Sequence, residues 1–482
     1  MKPENRILLI VVIGVLMGSI DTTIVLLALP TLTNSLHTNL ISSIWVILSY
    51  LLVIAVTTTQ FGRLGDIYGR SRMFNLGFVI FTVGSFFCGF APSVLFLIIF
   101  RFIQGAGGAL LSANSGAIIA DTFEPHRRGK AFGYVAVGWN VGSLLGIALG
   151  GVLTTFVGWR YIFYINIPIG IVATYFCLKY LKDNPKVNAK IDFVGLAVFT
   201  ISLLGIAYGA LELGAVGYSL ENAAILGMGI LFLIAFFFIE SRSENPLLNL
   251  HLFRNNRVLT FSMLASFFMS LGYLAVIFII IMYLQGVRGL SPLDASLLLV
   301  PGYIISSFTS PYMGRLSDKH GARLLATAGL GLLVVTTLVY FTLTPTSSLY
   351  LILIASAIAG IGASMFFPAN ASAIMVNTDP KYYGSTSGLS RLVGSLGILF
   401  SFVVILTIAS AAMTRQVAYE VFVGTSRLIG GVSGQFIDGM RASLAASVIL
   451  ILIAAMLSYM RGKEKNREEI YRGQNMDSSL AR

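Results

Sequence analysis

The chain has 482 residues, 56% of them hydrophobic and 11% charged, against roughly 25% charged in a soluble domain. Most of its surface therefore cannot face water, which excludes a soluble enzyme and points to an all-α integral membrane protein. The net charge of +12 is read as a record of membrane topology, not as a nucleic-acid signal.

Apolar runs of membrane-spanning length recur near 7–29, 41–61, 74–91, 94–119, 131–156, 162–180, 193–212, 222–239, 258–284, 293–312, 324–343, 349–376, 387–409 and 442–460. Each approaches the ~20 residues a helix needs to cross the hydrocarbon core. Fourteen transmembrane helices are predicted. The first run is too long for a secretory signal and lacks its small-residue cleavage site. No joint is long enough for a soluble domain, and the longest, about 410–441, is expected to be an external loop.

In the first helix Asp21 stands among apolar neighbours, about fourteen residues in. Burial disfavours the charged form of an acid and opens proton exchange near neutral pH. An intramembrane acid is a functional candidate by default. The joint after the second helix reads GRLGDIYGRSR from Gly62 to Arg72. Gly62 and Gly69 suit a tight reversal, and Asp66 stands among Arg63, Arg70 and Arg72, where it can cap the positive end of a neighbouring helix. Such a contact would exist with one face of the membrane closed and would be released on switching, so Gly62, Asp66, Gly69 and Arg70 are gate candidates.

Arg101, in the fourth helix, is the one arginine deep inside a span, Arg391 at the edge of the run 387–409 being counted with the preceding joint. At ~1.5 Å rise per residue, Asp21 lies ~12 Å and Arg101 ~10 Å from the same end of their helices, so direct coupling is geometrically open. The fifth helix carries Gly138, Gly142, Gly146 and Gly150 at four-residue spacing, a smooth face for close helix packing. Gly142, Gly146 and Gly150 are therefore further gate candidates. For an amphipathic ligand, an apolar cavity with few polar anchors is needed; the candidates are Trp45, Tyr50, Gln104, Asn114, Trp139, Asn140, Met269, Phe366, Phe367 and Asn370.

Twenty-six of the 32 Lys and Arg fall on the side of the two termini. Arg160, Arg288, Arg415, Arg427 and Arg441 fall on the other. By the positive-inside rule both termini are expected in the cytoplasm. The chain also repeats. The turn at 62–72 returns as GRLSDKHGAR from Gly314 to Arg323, which adds Gly314 and Asp318 to the gate candidates. Gly105, Gly107, Pro125, Gly129, Gly133 and Gly142 match Gly360, Gly362, Pro380, Gly384, Gly388 and Gly397 at a constant offset. That offset exceeds six helices, so two are read as inserted between halves: a bundle over 1–186, an inserted pair over 187–257, a second bundle over 258–460 and a tail over 461–482. Duplicated halves around a central site are a transporter design.

At these residues the chain resembles the major facilitator superfamily, in its fourteen-helix drug:proton antiporter branch. Gly62 to Arg70 looks like the signature turn of that superfamily and Arg101 to Gly108 like its second motif. Asp21-Thr22-Thr23 through Ala28-Leu29-Pro30, and Trp159 to Phe163 with Ile165 to Gly170, resemble motifs of the fourteen-helix branch. Leu26 replaces a usual Asn, and Ile147 follows Gly146 where Pro is usual. The resemblance implies a monomeric exporter of lipophilic or cationic compounds driven by inward proton flow, with Asp21 and Arg101 coupling the proton. It also implies that the fifth-helix glycine face meets the symmetry-related helix near the external gate. A facilitator or exporter of a native metabolite, lipid or siderophore on the same fold stays open, since Ile147 leaves the fifth helix straighter than Pro would.

Other classes lack their motifs. The two cysteines, Cys88 and Cys177, and the scattered His37, His126, His251 and His320 form no metal or disulfide pattern. Gly129-Lys130 and Gly462-Lys463 lack the spacing and the following Ser/Thr of a nucleotide loop, and a channel would need charge rings or filter loops. No cofactor and no metal are expected, with the proton gradient as energy source; the expected partners are a small lipophilic or cationic molecule, protons and membrane lipid.

Overall fold

A computed structural model of the chain describes residues 3–123, 125–182, 192–215, 217–242, 256–378, 383–421, 428–432 and 434–462. Fourteen helices among them are long and apolar enough to cross a membrane. They are α1 (Pro3–Ser35), α2 (Leu40–Tyr68), α3 (Arg70–Phe90), α4 (Val94–Thr122), α5 (Pro125–Phe156), α6 (Tyr161–Tyr180) and α7 (Phe193–Ala215). The series continues with α8 (Leu220–Glu240), α9 (Arg257–Val287), α10 (Pro292–His320), α11 (Ala322–Phe341), α12 (Leu349–Val376), α13 (Tyr383–Ala411) and α14 (Phe436–Met460). An even number of crossings returns the chain to the face on which it began. That face is called the terminal face below, and the other the opposite face.

Helix starts carry their own signals. The Asn39 side chain accepts the Ser42 N–H at 2.8 Å ahead of α2. Ser291 caps α10, with Pro292 at its first position, where a missing N–H costs nothing. The two copies of the repeated turn use one device. Gly69 between α2 and α3 has φ +108°, and Gly321 between α10 and α11 has φ +86°. Each donates its N–H at 2.9 Å to the carbonyl four residues back, of Gly65 and of Ser317. Positive φ suits a residue without Cβ, so each glycine ends one helix and starts the next without a loop.

Packing repeats with the sequence. In the first six helices α1 lies on α5 and α6, α4 on α2 and α3, and α3 on α6. Moved on by eight helices, the same pairs recur: α9 on α13 and α14, α12 on α10 and α11, and α11 on α14. Between the halves α5 meets α10 and α2 meets α13, which are equivalent contacts under the repeat. The remaining helices, α7 and α8, pack on each other, and α7 also lies against both α2 and α13. Thr407 of α13 donates to the Ala210 carbonyl of α7 at 3.0 Å. The most peripheral helix is α8, with 11% of its apolar window buried against 72% for α2.

Several contacts join the halves at the opposite face, and toward the terminal face Arg391 of α13 donates to Ser112 Oγ of α4 at 2.9 Å. The Gln285 amide on the last, π-helical turn of α9 donates to the Leu27 carbonyl of α1 at 2.9 Å. The Asn34 side chain accepts the Leu428 N–H at 2.6 Å. Leu293 N–H donates to Thr155 Oγ1 at 3.1 Å, and Gly151 of α5 packs on Ser296 of α10.

Candidate translocation site

Asp21 and Arg101 form a buried ion pair. An Arg101 Nη1 donates to Asp21 Oδ2 at 2.5 Å, with the side chains 1% and 0% exposed. Comparable depth on α1 and α4, read from the sequence as an opening for coupling, is here direct contact. Desolvating two charges is offset only where the remaining donors and acceptors are satisfied, and the surroundings do this. Arg101 Nε donates to the Val46 carbonyl of α2 at 3.0 Å, and Nη1 also donates to Gln104 Oε1 at 2.7 Å. Its guanidinium lies 4.1 Å from the Tyr50 ring centroid and 5.8 Å from that of Phe163, so an aromatic face covers the cation.

Gln104, one turn along α4 from Arg101, links the pair to α3. Its Nε2 donates both to Asp21 Oδ1 at 2.8 Å and to Ser85 Oγ at 2.7 Å. Cys88 Sγ is 3.5 Å from Gln104 Oε1. Asn166, on α6, reaches Ser85 Oγ with its Nδ2 at 3.4 Å. Five helices of the first half thus contribute to one network around Asp21. Under the constant offset of the repeat, Arg101 corresponds to Ser356, whose hydroxyl donates to the Leu299 carbonyl at 2.9 Å. Among the described residues, the charged pair has no copy in the second half.

The other candidates take varied places. Tyr50 and Gln104, expected to line a cavity, belong to the charged centre. Asn114, buried, donates to the Leu110 and Phe61 carbonyls at 2.9 and 3.4 Å, and its Oδ1 lies where a Gly65 Cβ would sit; it locks α4 onto α2. Trp45 packs on Tyr208 of α7, ring centroids 6.4 Å apart. Met269 and Phe366 share a buried apolar cluster in the second half, while Phe367 is exposed and meets Phe366 edge-on. Asn370, buried, donates to the Ser262 carbonyl and Ser266 Oγ and accepts from Arg461. Trp139 is exposed and Asn140 half-buried.

The repeated turn holds α2, α3 and α4 of one half together. Arg70 Nη2 lies 2.7 Å from Asp66 Oδ1, and its Nη1 lies 2.7 Å from Asp121 Oδ2 on α4. Gly62 faces Ala113 of α4. In the second copy Gly314 faces Pro368 of α12, and the Asp318 side chain lies outside the described residues.

The fifth-helix glycine face requires a correction. It packs on α1 of its own half, not on the symmetry-related helix. A Cβ on Gly138 would stand 2.8 Å from Val12 Cγ1, one on Gly142 2.8 Å from the Leu16 carbonyl, and one on Gly146 2.8 Å from the Ile20 carbonyl. Ser19 Oγ of α1 donates to the Trp139 carbonyl and shares a 2.7 Å hydrogen bond with Ser143 Oγ. The physical reason is rotation about the helix: the residue one step round, Gly151, is the one turned to α10. Helix α5 runs unbroken through the buried Ile147.

Sequence reasoning missed Ser85, Asn166 and Phe163 as members of the centre. Small polar residues within apolar helices were the available signal, and a hydroxyl that bonds its own helix looks the same in one dimension.

Duplicated six-helix halves, the first holding a buried ion pair, define a membrane transporter and not an enzyme. The chain belongs to the Major Facilitator Superfamily, whose family model matches residues 11–402. It is 30% identical to Multidrug resistance protein 3 of Bacillus subtilis (strain 168) over 458 residues, covering 92% of this chain and 89% of that protein. It is also 32% identical to the Riboflavin transporter RibZ of Clostridioides difficile (strain 630), covering 80% and 83%. Among solved structures it is similar to the human organic anion transporter MFSD10 (TETRAN), with TM-score 0.63 and 16% identity over 95% of this chain and 100% of that one.

Proposed function

We propose that the protein is a multidrug-type secondary exporter that moves lipophilic or cationic small molecules out of the cell in exchange for protons, by alternating access. The Asp21–Arg101 pair carries this reading, because it is a titratable acid buried inside the bundle with a cation held on the far side. A proton arriving at Asp21 neutralises the carboxylate and releases its hold on Arg101. The guanidinium keeps Val46 O, Gln104 Oε1 and the Tyr50 face, so α2 and α4 stay fixed while α1 is freed to shift. Since α1 holds the second half through Leu27 and Asn34, a shift there bears on closure of the opposite face. Substrate binding and protonation compete for the pair, which makes the exchange obligatory.

In this reading the terminal face is cytoplasmic, the membrane is the cell membrane, and the export confers drug resistance. The working unit is a monomer with no cofactor or metal, with lipid around it, no nucleic-acid partner, and the proton gradient as energy source. The Bacillus multidrug relative supports the substrate class. The test is transport in proteoliposomes with an imposed pH gradient, wild type against Asp21→Asn. Accumulation against a gradient in wild type and none in the variant is the expected result. A variant that still concentrates substrate would sink the proton-carrier role, and a wild type indifferent to pH would sink antiport.

The riboflavin-transporter relative and the unkinked α5 favour a second reading, a facilitator or exporter of a native metabolite without strict proton exchange. It requires equal flux with and without the pH gradient.

A further inference from the structure

The geometry points to a buried water-holding site at Ser85 and Asn166 through which protons from the opposite face reach Asp21. The inference rests on the proton-coupled reading above and adds two residues to it.

Asn166 is fully buried, and its Oδ1 has no hydrogen-bond partner. Turning the amide over lets Ser85 donate to Oδ1 but strips the partner from Nδ2, so in either setting one polar atom of Asn166 lacks a protein partner. A buried amide atom without a partner is costly, and an internal water is the ordinary remedy where polar groups converge. Ser85, also fully buried, is the other wall of this place.

The site leads inward. Gln104 Nε2 donates to both Ser85 Oγ and Asp21 Oδ1, at 2.7 and 2.8 Å, so the two oxygens lie within two hydrogen-bond lengths of each other. One bridging water spans such a gap. It also leads outward, because Asn166 sits one turn below the start of α6 at the opposite face. The segment above it is a lid. Trp159 Nε1 donates to Ser35 Oγ at 3.0 Å and Arg160 reaches the Ala91 carbonyl at 3.4 Å, while Phe163 covers the Arg101 guanidinium.

The transfer balances. With the 3.4 Å Asn166 Nδ2 contact released, the freed lone pair of Ser85 Oγ takes a proton from the water at Asn166 as the hydroxyl gives up its own through the bridging water to Asp21 Oδ1. The carboxylate becomes a carboxylic acid, and the solvent at the opposite face has lost one proton. Gln104 transfers nothing; it is a positioning residue that holds acceptor and hydroxyl in register.

The experiment reads Asp21 itself and needs no substrate. Full-length protein is reconstituted with the opposite face outward and given an acid jump in the bathing buffer. Infrared difference spectra then follow the carboxylic-acid band that Asp21→Asn removes. Ser85→Ala and Asn166→Leu are each expected to slow the appearance of this band at least tenfold with its final amplitude unchanged. Asn166→Ser, which leaves room for water and a hydroxyl, should stay within threefold of wild type. In vesicles of reversed orientation all rates should match wild type, a directional result that a merely structural role would not produce. Wild-type rates in Ser85→Ala and Asn166→Leu, or equal slowing in both orientations, overturn the route and leave proton coupling standing. Absence of the band in wild type overturns both. If Asn166→Leu does not fold, Ser85→Ala decides alone.

Discussion

Replacing Arg101 by methionine leaves the Asp21 carboxylate buried with no cation. Removing one partner of a buried pair costs about 3–5 kcal/mol, whereas replacing both by neutral groups can be nearly free. Arg101→Met is therefore expected to lower the thermal unfolding midpoint sharply in detergent. The double variant Asp21→Asn/Arg101→Met should recover most of that loss and still fail to drive uphill transport. Recovery of both would mean that the pair serves packing alone. Arg101→Lys should also fail, because an ammonium cannot reach Val46 O, Gln104 and Asp21 in one plane or lie flat on Tyr50.

Among the elements, the α1–α5 contact is a close one, with α1 carbonyls against the α5 glycines. Gly142→Leu would drive a side chain into the Leu16 carbonyl and Ser19 Cβ. Overpacking of this kind costs about 1–3 kcal/mol, to be read as a lowered unfolding midpoint and yield. Gly133→Ala, on the same helix with nothing within 4 Å of the added carbon, should be silent by both measures. The contrast also marks the limit of sequence reading. Fourteen spans, the repeat and the close-packing stripe are legible because each is a matter of period: apolar length, glycine spacing, constant offset. Which neighbour the stripe meets depends on a rotation about the helix axis of one residue, and no one-dimensional period encodes that. Asp21 and Arg101 could be paired because depth along a helix follows from residue count. Trp45 and Asn114 could not be placed, since an aromatic or amide looks alike whether it lines a cavity or fills a seam.

For the molecule as a whole, the seam at the opposite face is expected to open and close in each cycle. Cysteines at 155 and 293, where Leu293 N–H now meets Thr155 Oγ1, test this after Cys88 and Cys177 are replaced by alanine. Oxidation should stop transport into vesicles, and reductant should restore it. Transport that persists with the cross-link formed, as judged by gel mobility, would show that this seam stays shut throughout.

The hairpin of α7 and α8 carries a constraint of parity. Each half of the repeat has six spans, and the two extra helices preserve the orientation in which the second half enters the bilayer. One extra helix, or three, would have turned that half upside down. The Gly314–Arg323 turn would then sit across the membrane from its twin at Gly62–Arg72, and the pairing of α5 with α10 and α2 with α13 would have no symmetry mate. Growth of this architecture between its halves is thus quantised in pairs, and a chain that gains or loses one crossing there loses its second half with it.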